Sequence, residues 1–166
     1  MKEITAALAG NPNVGKSTVF NRLTGLRQHT GNWPGKTVEQ KEGYFTRGGV
    51  KYTVADLPGT YSLSANSDEE IITRDYIAGG KADVVVILAD ASQLERSLFM
   101  LADFAGIETP AVLLLNLMDV AQEQGKIVDA QVLEKKLGIP VVPISAAKNE
   151  GIDELIEHAI HVARYR

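Results

Sequence analysis

The chain has 166 residues, of which 45% are hydrophobic, so one domain with a full apolar core is expected. With 17 basic and 21 acidic residues its formal net charge is −4, which gives no support for a nucleic-acid-binding surface. The absence of cysteine excludes disulfides, zinc–thiolate sites and iron–sulfur clusters. No apolar run has the length of a membrane span and the N-terminus does not read as a signal peptide, so we expect a soluble chain.

The first predicted elements enclose a phosphate-binding motif. An apolar run over residues 4–9 predicts a buried strand, and helical spacing follows from Thr18 to about Gly25. The intervening GNPNVGKS matches G-x-x-x-x-G-K-[ST] at every fixed position. Its backbone N–H groups can surround a phosphate, Lys16 can reach the β- and γ-phosphates, and Ser17 can ligate Mg²⁺. The expected nucleotide-binding residues here are Gly10, Asn11, Pro12, Asn13, Val14, Gly15, Lys16, Ser17 and Thr18.

The next segment predicts a loop and a hairpin. Residues 26–37 are rich in glycine, proline and asparagine, which indicates an exposed loop. Residues 38–46 and 51–56 predict an antiparallel hairpin whose first strand lies at a sheet edge. Asp56 ends the second strand within a D-x-x-G pattern, where its carboxylate can hold Mg²⁺ through water and the Gly59 N–H can sense a γ-phosphate.

Thr37 stands at the exit of the loop, directly before a predicted strand. Its hydroxyl can complete Mg²⁺ coordination when a γ-phosphate is present and leave after hydrolysis. The alternative is an ordinary β-branched residue that starts a strand. On the first interpretation, two switch loops are expected at about residues 26–38 and 56–68.

The rest of the chain alternates helices and strands. Predicted helices cover residues 68–78, 94–104, 130–137 and 152–163, with a short helix end at 121–125, and predicted strands cover 83–90, 111–115 and 141–144. This order predicts an α/β fold with a mostly parallel six-stranded sheet, one antiparallel edge strand and helices on both faces.

A base-recognition pattern follows the strand at 111–115. Asn116-Leu117-Met118-Asp119 matches N-K-x-D except that Leu117 replaces the lysine. The Asp119 carboxylate can accept hydrogen bonds from the N1–H and exocyclic amine of guanine, a donor pair that adenine lacks. Asn116 is expected to brace the loop, and the loss of the lysine stem at Leu117 to weaken affinity. Backbone N–H groups after the last strand are expected at the guanine carbonyl, in Ser145, Ala146 and Ala147.

The position after D-x-x-G, where Ras-like enzymes carry a glutamine that orients water, is Thr60. Threonine is too short for that task, and the phosphate loop contains no arginine. Intrinsic hydrolysis of GTP is therefore expected to be slow. The expected catalytic groups are Asn13, Lys16, Thr37 and Gly59.

Three longer stretches carry a family resemblance: GNWPGKTVE from Gly31, DLPGTYSL from Asp56 and DASQLERSL from Asp90. With the general motifs, they make the whole chain resemble the G domain of the prokaryotic ferrous iron transport protein B family, among the translation-factor-related GTPases. Lys36 departs from that family, where an aliphatic residue is common. The resemblance implies a Ras-like P-loop NTPase fold over residues 1–166, with Gly35, Lys36 and Thr37 also at the nucleotide.

The same resemblance implies a function: a GTP-binding and GTP-hydrolysing regulatory domain of a ferrous iron transporter, dependent on Mg²⁺ held by Ser17, Thr37 and Asp56. It also implies stimulation by K⁺, which would take the place of an arginine finger. Asn13 and the backbone carbonyls of Gly31 and Trp33 would hold this ion. Asn13 has an equally good interpretation as a residue that tolerates turn dihedrals.

In that family a helical domain and a membrane permease follow the G domain, so we expect an amino-terminal fragment. The full-length protein would lie at the cytoplasmic face of the inner membrane, form oligomers in some cases and meet small accessory proteins. Two alternatives stay open. A stand-alone GTPase of ribosome or tRNA maturation predicts a basic RNA-binding surface, and an ATPase predicts that Asp119 does not contact the base.

Overall fold

The computed structural model describes residues 2–12, 14–60, 66–104 and 108–145, and positions 152, 156, 157 and 159–161 of the C-terminal segment. Seven strands lie within the described residues, at Lys2–Gly10 (β1), Gln28–Asn32 (β2), Glu39–Arg47 (β3), Val50–Asp56 (β4), Val84–Asp90 (β5), Ala111–Asn116 (β6) and Val141–Pro143 (β7). Five α-helices within these ranges lie at Lys16–Thr24 (α1), Asp68–Ala78 (α2), Leu94–Phe104 (α3), Met118–Glu123 (α4) and Ala130–Leu137 (α5). The described C-terminal positions are also helical.

One sheet carries all seven strands, in the order β2-β3-β4-β1-β5-β6-β7. β1 pairs in parallel with β4 and β5, and the parallel pairing continues through β6 to β7. β3 pairs antiparallel with both β2 and β4. The α/β fold and its mostly parallel sheet are confirmed.

The predicted count of six strands and the edge position of residues 38–46 are wrong. β2 forms inside the predicted loop and is the edge strand, with Gln28 opposite Gly43 and Asn32 opposite Glu39. None of its five residues is buried, so hydrophobic patterning gives no sign of it. Backbone pairing with β3 stabilises β2 instead.

The central strands separate two apolar cores. Val84, Val86 and Leu88 of β5 pack with α1 residues such as Phe20 and with Ile156 of the C-terminal helical segment. The alternate residues of β5 face the second core, which contains Tyr76 of α2. β5 and β6 are apolar on both faces because both are covered. The carboxyl ends of β1, β4, β5 and β6 consequently meet at one edge of the sheet, where ligands of open α/β sheets bind.

Candidate nucleotide-binding site

The phosphate loop joins β1 to α1 and depends on its glycines. Gly15 precedes α1 with a left-handed φ of 88°, and a Cβ built there would overlap Asn116 Nδ2. A Cβ on Gly10 would approach the Leu88 carbonyl oxygen to 2.9 Å. Both positions therefore require a residue without a side chain.

The loop borders an open depression of about 550 Å³. Within the described part of the chain it is lined by Asn11, Pro12, Gly15, Lys16, Ser17, Thr18 and Gly59. Lys16 Nζ forms an ion pair with Asp56 Oδ1, and the two side chains are only 11% and 9% exposed. The predicted phosphate-binding cation and the predicted Mg²⁺-binding carboxylate are thus brought together beside Ser17. A hydroxyl and a carboxylate oxygen are ligands that suit a hard divalent cation, so these residues fit Mg²⁺.

The D-x-x-G segment lies directly on the phosphate loop. Leu57 N–H donates to the Leu8 carbonyl at 3.0 Å, and Thr60 N–H donates to the Gly10 carbonyl at 3.0 Å. Gly59 packs so closely that a Cβ there would lie 3.2 Å from Pro12 Cα. Thr60 is 3% exposed, so its hydroxyl lies in the interior rather than in the depression.

The base-recognition segment is tied to the same loop. Asn116 is 2% exposed, and its Nδ2 donates to the Val14 carbonyl at 3.0 Å. Leu117 takes a left-handed φ of 61° at the start of α4, which directs the chain into the turn that carries Asp119. The Ser145 hydroxyl donates to Asp119 Oδ1 at 3.2 Å. Two segments carry the predicted guanine contacts, one after β6 and one after β7. This hydrogen bond brings them together.

The predicted site residues between Gly31 and Thr37 lie away from the depression at the phosphate loop. Gly31 lies in β2, and Trp33, Gly35, Lys36 and Thr37 lie in the turn between β2 and β3. None of these five lines the depression described above. Trp33 packs edge-on against Tyr76 of α2, with ring centroids 5.7 Å apart.

The sequence does not reveal that Tyr76 contacts Trp33. Tyr76 is one of several residues on the apolar face of an amphipathic helix, and it lies 43 positions from Trp33 along the chain. Burial raises the pKa of the Tyr76 phenol above its ordinary value of 10.0, and the negative charge of Glu42 raises it further. The phenol therefore stays neutral at physiological pH.

Three predicted site residues, Asn13, Ala146 and Ala147, lie outside the described residues. In the part of the chain that is described, no three His, Cys, Asp or Glu side chains converge as a metal centre. The described helices also include none with the length and apolar character needed to cross a bilayer.

A phosphate loop, a D-x-x-G strand end and an N-x-x-D turn, joined at one edge of a mostly parallel sheet, define a Ras-like G domain. Residues 4–159 match the family described as ferrous iron transport protein B. The chain belongs to this family. It is 45% identical over 159 residues to the Fe(2+) transporter FeoB of Salmonella typhimurium and 43% identical to that of Escherichia coli K12. Each alignment covers 93% of this chain but only 21% of the length of the relative.

Solved structures of FeoB domains have the same fold as this chain. The FeoB G-domain from Methanococcus jannaschii superposes with a TM-score of 0.87 at 49% identity, with both chains fully covered. The cytosolic domain of the T. maritima FeoB iron transporter in its GMPPNP form gives a TM-score of 0.93 at 44% identity, covering 98% of this chain and 64% of that one. A GDP form of the same domain gives 0.92 at 45% identity.

Proposed function

We propose that this G domain binds GTP and GDP, hydrolyses GTP to GDP and phosphate, and regulates a ferrous iron transporter. The observation that carries the proposal is the hydrogen bond from Asn116 to Val14, because it connects the base-recognition turn directly to the phosphate loop. The GDP and GMPPNP forms of the T. maritima domain support guanine nucleotides as the ligands.

Each predicted site residue has a defined part in this proposal. Lys16 neutralises the β- and γ-phosphates, and Gly59 presents its N–H to the γ-phosphate. Ser17 and Asp56 would hold Mg²⁺, and Thr37 would join them in the GTP state. Mg²⁺, when bound, offsets negative charge on the phosphates. Asp119 and Ser145 recognise guanine together with the backbone of Ala146 and Ala147.

Base specificity is tested by titrating GDP and ADP against the chain and its Asp119→Asn variant. We expect GDP to bind well above ADP, and Asp119→Asn to weaken GDP binding about 100-fold, because two hydrogen bonds to a charged acceptor are lost. Glu123→Gln, which removes an exposed carboxylate from the same helix α4, is the matched control and should change nothing. Comparable affinity for GDP and ADP would refute the guanine assignment and favour an ATPase.

We further propose that K⁺ stimulates hydrolysis, held by Asn13 and the carbonyls of Gly31 and Trp33. Two features support a supplementary cation: Thr60 is buried away from the depression, and the phosphate loop contains no arginine. Gly31 of β2 and Trp33 of the following turn do not line the depression, so this arrangement requires both the end of β2 and the β2–β3 turn to move.

GTP turnover measured in K⁺ and in Na⁺ at equal ionic strength tests this second proposal. We expect faster turnover in K⁺, on the order of tenfold if the ion replaces part of an arginine finger, and loss of the difference in Asn13→Ala. Asn21→Ala, on the exposed side of α1, should keep it. Equal turnover in both salts would contradict the role of K⁺ without affecting the nucleotide assignment.

The wider setting stays a prediction. We propose that the domain works on the cytoplasmic side of the membrane within a longer chain that carries a helical domain and a permease. The chain spans about a fifth of the relatives it matches, which leaves room for both. A role in ribosome or tRNA maturation is disfavoured by membership in the ferrous iron transport family.

A further inference from the structure

The stretch DASQLERSL, which carries part of the family resemblance, has no role in the proposed function, yet it packs beside the phosphate loop. It forms the end of β5, a 3₁₀ turn at Ala91–Gln93 and the start of α3. A cavity of about 100 Å³ lies between the two segments. Asp90 and Arg96 line it from this stretch, and Asn11 and Pro12 line it from the phosphate loop.

A hydrogen bond of Asn11 joins the two segments. Asn11 Nδ2 donates to the Arg96 carbonyl oxygen at 3.3 Å, across 85 positions of the chain. Asn11 is only 4% exposed, so water competes little for this bond. Its Oδ1 atom is buried without a hydrogen-bond partner among the described residues, which lowers stability. A small apolar side chain would avoid that cost, so the contact with Arg96 explains this asparagine better than stability does.

The carbonyl that accepts from Asn11 is anchored to the central sheet. Asp90, the last residue of β5, accepts at Oδ1 from the Ser92 N–H at 2.8 Å and from the Ser92 hydroxyl at 2.6 Å. The Asp90 N–H donates to Ser97 Oγ in α3 at 3.4 Å. These bonds tie the start of α3 to the end of β5, so the Arg96 carbonyl lies at a defined place beside the phosphate loop.

Asn11 precedes Pro12, the residue on which the D-x-x-G segment packs. A Cβ built on Gly59 would lie 3.2 Å from both Cα and Cγ of Pro12. Proline has no N–H to donate, so the bond of Asn11 holds this part of the loop against the body of the domain. Asn116 holds the other part, at Val14 ahead of α1.

We infer that Asn11 is a positioning residue for recognition of the γ-phosphate: it holds Pro12 against Gly59, whose N–H meets that phosphate in the proposed function. This inference rests on the proposed function and adds a residue to the same site. The part of the loop held by Asn116 leads into α1 and serves diphosphate and triphosphate alike. Loss of the Asn11 bond should therefore weaken triphosphate binding more than diphosphate binding.

Titration calorimetry of Asn11→Ala with GDP and with GMPPNP, each with Mg²⁺, tests this role. We expect the ratio of Kd for GMPPNP to Kd for GDP to rise about fivefold, the effect of one hydrogen bond, with no fall in the urea midpoint of unfolding. Asn21→Ala, on the exposed side of α1, is the matched control and should keep the original ratio.

The possible outcomes separate the inference from the proposed function. A purely structural role of Asn11 would weaken both nucleotides equally, and an unchanged ratio in Asn11→Ala would overturn the inference while the guanine nucleotide site stands. Binding of neither nucleotide by the original chain would overturn the proposed function, and the inference with it.

A double-variant cycle tests the route from Asn11 to α3. Asp90→Ala removes the acceptor of Ser92, and we expect it to raise the same ratio about twofold to fivefold, with no further rise when Asn11→Ala is added, because both changes disrupt one contact. Asp129→Ala is the matched control, since its carboxylate accepts from two N–H groups at the start of α5, and it should leave the ratio unchanged. Full additivity of Asp90→Ala and Asn11→Ala would overturn the inference. If Asn11→Ala does not fold, an unchanged ratio in Asp90→Ala alone would do the same.

Discussion

Gly15 shows how closely the phosphate loop and the base-recognition turn are packed. Its φ is 88°, and the Asn116 amide fills the space where a side chain would begin. The same amide donates to the Val14 carbonyl at 3.0 Å. A single asparagine therefore both supports the loop and limits what can stand at position 15.

The variants Gly15→Ala and Gly49→Ala separate the cost of a left-handed backbone from the cost of overlap with Asn116. Gly49 also has a left-handed φ, of 76°, but no atom lies within 4 Å of its built Cβ. We expect Gly49→Ala to lower the free energy of unfolding by about 1–2 kcal/mol through backbone strain alone. Gly15→Ala should cost about 2–5 kcal/mol, because overlap with Asn116 is added, and should weaken GDP binding. Urea unfolding and GDP titration measure both effects, and equal costs at the two positions would contradict the role assigned to Asn116.

At this scale the sequence predicts much of the site. Lys16, Asp56, Asn116 and Asp119 follow strands whose carboxyl ends meet, so short motifs are enough to place them together. The pairing of Trp33 with Tyr76 is different. It depends on how the β2–β3 turn rests on α2, and no local pattern of either residue encodes that contact.

Helix α2 begins with a reciprocal cap. Glu70 N–H donates to Ser67 Oγ at 3.2 Å, and Ser67 Oγ lies 3.1 Å from Glu70 Oε1. Asp68, Glu69 and Glu70 occupy the first turn, where negative charge is favoured by the helix dipole. The cap fixes the end of α2 that carries Asp68, whose carboxylate lies 3.1 Å from Lys36 Nζ of the β2–β3 turn.

Removing the cap should destabilise α2 by a moderate amount. We expect Ser67→Ala to lower the free energy of unfolding by about 1 kcal/mol, because an N–H of the first turn loses its acceptor. Ser67→Thr, which retains a hydroxyl that can accept from Glu70 N–H and donate to Glu70 Oε1, should stay within about 0.5 kcal/mol of the original chain. Urea unfolding of the three proteins measures the difference. Equal stability of the alanine and threonine variants would show that the hydrogen bond contributes nothing.

Among the elements, β2 marks the limit of sequence-based prediction. The apolar runs of β5 and β6 and the glycine that ends α5 are local signals, and those elements lie where they were predicted. β2 has the sequence QHTGN, with neither apolar alternation nor β-branched enrichment. Its conformation follows from the backbone edge that β3 offers, which is a property of the sheet and not of residues 28–32.

For the whole molecule, the sheet and its two cores are what hold the loops at the site in place. Residues of β6 alternate between the cores, with Leu114 in the one that contains α1 and Leu115 in the one that contains α2. β6 ends at Asn116, so the strand that contributes to both cores also delivers the residue that braces the phosphate loop. Stability and site geometry are consequently linked through this strand.

The same substitution at two leucines tests how much of the stability lies in this central strand. Leu114 is 0% exposed, whereas Leu26 is 99% exposed just after α1. We expect Leu114→Ala to lower the free energy of unfolding by about 2–5 kcal/mol through lost burial and a cavity. Leu26→Ala should stay within about 0.5 kcal/mol. Urea unfolding followed by circular dichroism measures both. A small loss at Leu114 would mean that the strand relaxes into the cavity, and the Asn116–Val14 hydrogen bond would then be expected to shift and GDP affinity to fall.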